Sequence, residues 1–488
     1  MSADTRQPVI AVVGGGIAGL AAALFLRDRG AAVTVLEGGP RLGGELSVSP
    51  VAGIEVDEGA EALLARRPEG TGLIEAAGLG GQLVEPGTTA ASIWTRGVMR
   101  AMPRRQFLGV PADLDELAST QILSAAGLAR ARAEPELPGL ELDGDLSVGG
   151  LVAARFGREL ADRLTDPLLS GVYAGRAGEL SFQATMPALA QAARAHRTLG
   201  EAARSLLPGP GPDGGAPGGP PGGQAGPPER PAPVFTTLAG GLGTLPAAVA
   251  AASGARLRTR AMVRELARTA DGWRLTIGSA RSPEWLDADA VILALPAQPA
   301  SRLLGPVSAA AAAALAEISY ASMAIITLAY PRAAFAALPP GSGYLVPAAD
   351  GRPVKAVTVS TSKWPHLRAS APDLVIARCS VGRIGEEALL QRDDADLVAL
   401  AAADLAAATG VRGQPAASRV TRWGGALPQY TVGHLDRVAR IRAAVASCPG
   451  LAVCGAAYDG IGIPACVASA ALAAGQVTGQ LRARRPGR

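Results

Sequence analysis

Residues 8–13, Pro8-Val9-Ile10-Ala11-Val12-Val13, run straight into Gly14-Gly15-Gly16-Ile17-Ala18-Gly19, and the reading of this stretch decides the fold. The apolar run bounded by glycine reads as a buried strand, and Gly14, Gly16 and Gly19 supply the G-x-G-x-x-G spacing. A helical pattern follows, then a second strand, Ala32 to Leu36 (AVTVL), with Glu37 standing 18 residues after Gly19. Each residue type has a physical task. Gly14 permits a tight turn, Gly16 lets the backbone approach a pyrophosphate, and Gly19 lets the helix pack closely on the sheet. The helix start offers N–H groups to phosphate, and Glu37 is placed to accept hydrogen bonds from a ribose. Glycine spacing alone is a weak signal. With strands, helix and acid in register it predicts a nucleotide-binding βαβ unit.

Composition bounds the rest. At 488 residues the chain is long enough for two or three lobes. It is 48% hydrophobic but only 3% aromatic, and its Ala, Gly, Pro and Arg bias resembles that of a high-GC genome, so single Ala and Arg residues carry little information. The net charge of +4 comes with no Lys/Arg run suited to nucleic acid, while a mild positive balance suits an acidic small molecule. Cys379, Cys448, Cys454 and Cys466 show no C-x-x-C spacing and read as free thiols of a reducing cytoplasm; with only three histidines no metal site is expected. No basic n-region and apolar core open the chain, so a cytoplasmic location is expected. The longest weakly charged stretches, 303–330 and 443–481, are interrupted by Pro306 and Glu317 and by Pro449, Asp459 and Pro464. They exclude a transmembrane segment and leave at most peripheral membrane contact.

One segment does not read as globular. From Pro208 to Pro233, 19 of 26 residues are Pro or Gly, too little apolar surface to offset ordering, so a disordered surface loop is expected. Before it, the 113–132 region and Leu146 to Leu164 read as helices, the latter capped by Ser147. After it come a helix-like LPAAVAAA, strands at Ala261 to Leu266, Trp273 to Ile277, Ala290 to Leu295, Tyr320 to Tyr330 and Val354 to Ser360, and a helix at Glu386 to Thr409. A last strand, Leu451 to Cys454, enters a turn and a final helix from about Pro464. The expected class is α/β: a discontinuous Rossmann-like nucleotide domain (1–93, 234–296 and 446–488), a helical domain (94–207), and a mixed-sheet substrate domain (297–445).

The segment Glu37-Gly38-Gly39-Pro40-Arg41-Leu42-Gly43-Gly44 resembles the E-x-x-x-R-x-G-G extension of FAD-dependent amine oxidases, desaturases and protoporphyrinogen oxidases. Asp166 to Gly175 (DPLLSGVYAG), followed by Glu179-Leu180-Ser181, resembles a signature of protoporphyrinogen and coproporphyrinogen oxidases that amine oxidases and carotenoid desaturases lack. Leu238 to Leu245, Ser362 to His366, Val381 to Arg383, Thr421 to Trp423, Pro428-Gln429-Tyr430 with Gly433-His434, and Gly460 to Pro464 continue the match in order. The resemblance spans nearly the whole chain and is closest to the soluble Gram-positive coproporphyrinogen III oxidase type. An amine oxidase or carotenoid-type desaturase is the alternative on the same scaffold, and a non-catalytic protein like the GDP-dissociation inhibitors a third reading.

The resemblance implies non-covalent FAD held by Gly14, Gly15, Gly16, Ile17, Ala18, Gly19, Glu37, Gly38, Gly44 and Glu45. It adds Gly59-Ala60-Glu61-Ala62, Val263, Trp423 and Ile461-Gly462-Ile463. The family's usual G-P-D-S reads G-A-E-A here, so backbone rather than side-chain contacts are expected at that place. Amine oxidases often attach flavin to a C-terminal cysteine, but neither Cys454 nor Cys466 sits in that context. The implied reaction is the six-electron oxidation of coproporphyrinogen III to coproporphyrin III in haem biosynthesis, with protoporphyrinogen IX as a second substrate. Hydride would leave for flavin N5, O₂ would return as H₂O₂, and the product would pass to a downstream ferrochelatase. The flavin carries the chemistry, so no catalytic side chain is assigned, and oligomeric state is left open. Substrate-binding candidates are Arg66, Arg67, Tyr173 and Lys363. Each has a plainer reading: a solvated pair for Arg66 and Arg67, a packed aromatic for Tyr173, and structural anchoring for Lys363 and His366. His434 reads as a satisfied structural histidine.

Overall fold

A strand with no polar residue must have both faces covered, and the first strand does. In the computed structural model, which describes residues 6–208 and 233–483, Val9–Val13 (β1) sends Ile10 and Val12 into one apolar cluster and Ala11 and Val13 into another. Most of the Pro/Gly segment, 209–232, lies outside the described residues. Ala32–Leu36 (β2), Arg256–Arg258 (β3), Ala290–Leu293 (β4) and Leu451–Val453 (β5) complete a five-stranded sheet in the order β3-β2-β1-β4-β5. Every neighbouring pair is parallel, with Val13 level with Leu36 on one side and Leu293 on the other. On one face Ile17–Leu26 (α1) packs against the long last helix, Ile463–Ala483 (α3). The other face is covered by Ala297–Leu304, Ala309–Ala316 and His434–Ala446 (α2). A small antiparallel sheet of Val263–Arg268, Trp273–Ser279 and Ser282–Ala288 follows β3 in the chain.

The chain forms two compact units, each from separated stretches. One comprises Met1–Val84, Thr236–Ser322 and Thr421–Arg488 and holds the parallel sheet. The other comprises Glu85–Phe235 and Met323–Val420. A seven-stranded sheet, most of whose strands lie in this second unit, runs Ala417–Pro428, Tyr320–Pro331, Leu374–Val381, Val354–Val359, Gly343–Leu345, Ser92–Thr95, Val98–Ala101. The sheet is mixed: Gly343–Leu345 lies parallel to Ser92–Thr95 and antiparallel to Val354–Val359, and Leu374–Val381 lies antiparallel to both Tyr320–Pro331 and Val354–Val359. The expected α/β class, with a mixed sheet and a helical part, is what the chain forms.

Three helical stretches differ from the pattern-based reading; the 113–132 region forms two helices, Leu114–Thr120 and Ala125–Arg132, parted at Gln121 in the left-handed region. Leu146 to Leu164 is not continuous: Ser147 caps Val148–Phe156 as expected, but Gly157 at φ 95° and ψ 157° breaks the helix. It resumes as Arg158–Leu160 and widens into a π-type turn, Ala161–Thr165, before Asp166–Tyr173. Pro167 explains the widening, because its ring cannot sit beneath the carbonyl four residues earlier in a regular helix. The helix read from Glu386 begins only at Asp394, after a short tight turn at Glu387–Gln391.

Candidate functional site

The glycine fingerprint does two separate jobs in the folded chain. A Cβ built on Gly14 would lie 2.2 Å from the Ala294 carbonyl oxygen, and one on Gly19 would lie 1.9 Å from the Gly14 carbonyl oxygen. Both positions are closed by strand–helix packing. At Gly16 a Cβ would meet nothing within 4 Å. Gly16 is also the N-cap of α1, where no side chain caps the helix and no acid occupies the first turn. The result is a helix N-terminus opening onto free space, with the chemistry an anionic pyrophosphate needs.

Around it the other predicted cofactor residues of this unit assemble. Glu37, at the end of β2, accepts from the Gly15 amide at 2.8 Å and the Gly39 amide at 2.6 Å. Its carboxylate is thereby fixed, and each oxygen keeps a lone pair for a ribose hydroxyl. Gly38 faces Met262, and Ala261 N–H donates to the Glu37 carbonyl, which brings Val263 to the same edge. The Gly43 amide donates to the Gly15 carbonyl, and a Cβ on Gly44 would stand 3.5 Å from Gly16 Cα. Arg41 organises this turn: its guanidinium donates to the carbonyls of Leu42, Gly44 and Leu46 and lies over the Trp423 ring at 5.8 Å. Trp423 in turn donates its indole N–H to the Glu58 carbonyl at 2.9 Å. A Cβ on Gly59 would lie 2.0 Å from the Glu45 carbonyl oxygen, so the Gly44-Glu45 turn and the start of Gly59-Ala60-Glu61-Ala62 are in direct contact.

Glu45 reaches solvent yet is crowded by protein, and that desolvation raises its carboxyl above the usual range against its own backbone and the Arg41 charge. Glu45 also acts electrostatically on Tyr320 and Cys466. Burial pushes both up to about 12, so both are neutral at physiological pH. Cys466 lies in the first turn of α3, just after Ile461 and Gly462 and the first helical residue, Ile463. Thus one end of the predicted set meets α1 and the other meets α3, and the donors and glycine-lined openings fit a dinucleotide.

The substrate candidates are less uniform. Arg67 is ion-paired with Glu69 at 2.9 Å, and its side-chain bond to that carboxylate raises the guanidinium and lowers Glu69. Arg66 beside it is exposed. Tyr173 closes Asp166–Tyr173 as a buried ring, its phenol pushed up to about 12 by burial. Lys363 sits against two rings, with Nζ 4.9 Å from the Trp364 centroid and 5.8 Å from Phe235. All four cysteines are free thiols. Sequence reading passed over Asp57, whose buried carboxylate accepts from the Leu242 and Gly243 amides, and Met262, which shapes the Gly38 edge. No motif marks either; both act through distant partners. Among the described residues no cluster of His, Cys, Asp and Glu could hold a metal ion, and no helix is long and apolar enough to cross a membrane.

Comparison with known proteins agrees with this geometry. The family model for flavin containing amine oxidoreductases matches residues 17–478. The chain is 37% identical to the coproporphyrinogen III oxidase of Mycobacterium tuberculosis, over 97% of this chain and 98% of that one. It is 29% identical to the coproporphyrinogen III oxidase of Bacillus subtilis, over 95% and 96%. The crystal structure of a protein from Exiguobacterium sp. 255-15, provisionally assigned as a protoporphyrinogen oxidase, superposes with a TM-score of 0.83 at 30% identity, covering 97% of this chain and 99% of that one. With its nucleotide fingerprint, its fold and nearly its whole length shared with them, the chain belongs to the flavin-containing amine oxidoreductase family, among the relatives of the coproporphyrinogen III oxidases.

Proposed function

We propose that this protein is an FAD-dependent oxidase that converts coproporphyrinogen III to coproporphyrin III in haem biosynthesis, with O₂ as acceptor. The observation that carries this reading is the 37% identity to a relative of that name over nearly the whole of both chains, joined to the Asp166 to Gly175 signature. In this reading the parallel-sheet unit holds FAD non-covalently. The flavin, when bound, supplies the two-electron acceptor chemistry that six-electron oxidation draws on three times.

The chain's own residues supply position and charge. The N–H groups at Gly16 and the start of α1 would take the pyrophosphate, and Glu37, held by Gly15 and Gly39, would take the ribose. Glu45 and the Gly44 turn line the path between them and Trp423. The N-terminus of α3, following Ile461 and Gly462, presents positive potential where the cofactor would gain negative charge. Cys454 and Cys466 are buried and held protonated by desolvation, which disfavours a thiolate attachment. Arg66 is the better of the two neighbouring arginines for a propionate, because Arg67 already serves Glu69.

Coproporphyrinogen III carries four propionates and protoporphyrinogen IX two, so preference is a question of cationic contacts. A charge-assisted contact is worth roughly 1.5–3 kcal/mol, less when exposed, and one is enough for a tenfold preference. Initial rates on both porphyrinogens at rising ionic strength test the reading. Coproporphyrinogen III is expected to lead at low salt, with its lead narrowing as salt screens the carboxylates. A lead for protoporphyrinogen IX at low salt would overturn the assignment. A cytoplasmic location and delivery of product to a ferrochelatase belong to the same proposal.

A further inference from the structure

The turn between β5 and α3 is gripped by a segment that precedes both in the chain, 430–442. Resting on the reading that FAD lies at the N-terminus of α3, we propose that Tyr430 and His434 are positioning residues that set where that N-terminus stands against the cofactor.

The grip is built from short-range contacts inside one unit. The Tyr430 hydroxyl donates to the Ala456 carbonyl at 2.6 Å and accepts from the Gly460 amide at 2.7 Å. A single oxygen thus bridges the two ends of the turn. Two residues inside the span, the Tyr458 carbonyl lies 3.1 Å from His434 Nε2. A carbonyl can only accept, so that ring nitrogen carries the proton. The two rings are stacked, with centroids 3.8 Å apart and planes 14° apart, and both are almost wholly buried. Arg442, two turns further along α2, is ion-paired with Asp459 at the surface. Residues 456, 458, 459 and 460 are therefore each held by the 430–442 segment, and Gly460 leads within three residues into Ile463.

Several features separate a positioning device from ordinary packing. Burying a hydroxyl and an imidazole is costly unless each is used, and here both are used on the backbone of one turn. The bonds go to main-chain atoms, so they fix the path of the chain rather than a side chain's place. Neither residue needs to touch the cofactor. Moving the turn by a fraction of an ångström would move the amides of Ile461 to Ile463 and with them the positive end of α3. That end bears more strongly on reduced than on oxidised flavin, so the turn's position reads out as a redox potential.

Tyr430→Phe and His434→Phe each delete one polar partner while keeping an aromatic ring in the stack. In the apoprotein, amide hydrogen exchange across 456–461 is expected to quicken about tenfold in each variant, with exchange in β1 and β4 unchanged. FAD affinity of the apoprotein should fall about tenfold. A tenfold preferential loss for reduced flavin makes the midpoint potential about 30 mV more negative, at 29.6 mV per tenfold for a two-electron couple. Arg442→Ala, which breaks only an exposed ion pair, should move none of these by more than about twofold. Unchanged exchange overturns the proposal, as does faster exchange with affinity and potential unmoved, because that pattern describes packing alone. A variant too unstable to purify leaves the other to decide, and loss of both to misfolding also counts against a positioning role. If wild-type protein takes up no FAD, the functional reading fails first and visibly, since that result precedes any comparison of variants.

Discussion

A methyl group added at Gly16 meets nothing within 4 Å, whereas one at Gly19 lands 1.9 Å from the Gly14 carbonyl oxygen. Gly16→Val is therefore expected to fold with native secondary structure and to purify without flavin. Gly19→Ala is expected to lose several degrees of melting temperature or to misfold, because backbone must move to admit it. The ratio of flavin to protein absorbance, read beside far-UV circular dichroism, separates the two; full flavin in Gly16→Val would show the fingerprint misread. Lys355 gives a second residue-scale prediction. Its side chain is 2% exposed and donates to the Gly382 carbonyl at 2.6 Å. Burial, with the nearby Arg383 charge and against that of Glu386, pulls its ammonium from 10.5 down to about 7. Between those values the unfolded chain holds a proton that the native one has shed, so the native state gains stability as pH rises through this window. Below it both states are charged and the burial cost is complete. Lys355→Met should then stabilise the protein at pH 6–7, by up to about 5 kcal/mol. The gain should fade to nothing by about pH 10.5. Melting temperatures of both proteins across that range check the sign, and a pH-independent gap would refute it.

At the scale of elements, Asp57 ties a strand to a distant turn. Its carboxylate, at the end of Ile54–Asp57, accepts from Leu242 and Gly243 at the start of the tight turn that leads into Leu245–Ser253. Asp57→Ala leaves two amides seeking partners in a buried place, at a cost of about 2–3 kcal/mol. A fall of several degrees in melting temperature is the expected result, and an unchanged value would mean that water replaces the carboxylate. Asp57 also marks what the sequence did not disclose. β1, β2 and α1 were legible because periodicity, glycine spacing and Glu37 are local and mutually consistent, and α3 because an apolar strand, a Gly-rich turn and a proline stand together. Gly157 was not legible as a break, since a glycine inside an apolar periodic run is compatible with either outcome. Leu374–Val381 and Ser282–Ala288 escaped because a strand inside an antiparallel sheet is specified by its partners, with only a weak signal of its own. In the site, the contacts made by local spacing were readable, whereas the Tyr430 and Asp57 contacts join residues far apart in the chain.

For the molecule as a whole, deletion of Pro210 to Pro228 tests whether the Pro/Gly segment contributes to more than connection. The deleted residues have almost no apolar surface, and the change in loop-closure entropy is only about 1 kcal/mol. Turnover and melting temperature should both stay near wild type; a large loss of either would give the segment a docking role. The order of strands in the parallel sheet has a different consequence, for biosynthesis. β1 precedes its neighbour β4 by about 280 residues and β5 by more, while α1 rests on α3, which follows β5. A nascent chain leaving the ribosome therefore carries its nucleotide fingerprint long before it can close the sheet beneath it. Cofactor capture then waits until α3 has been made, and any product terminated before β5 is left with an open sheet edge and no flavin to protect it.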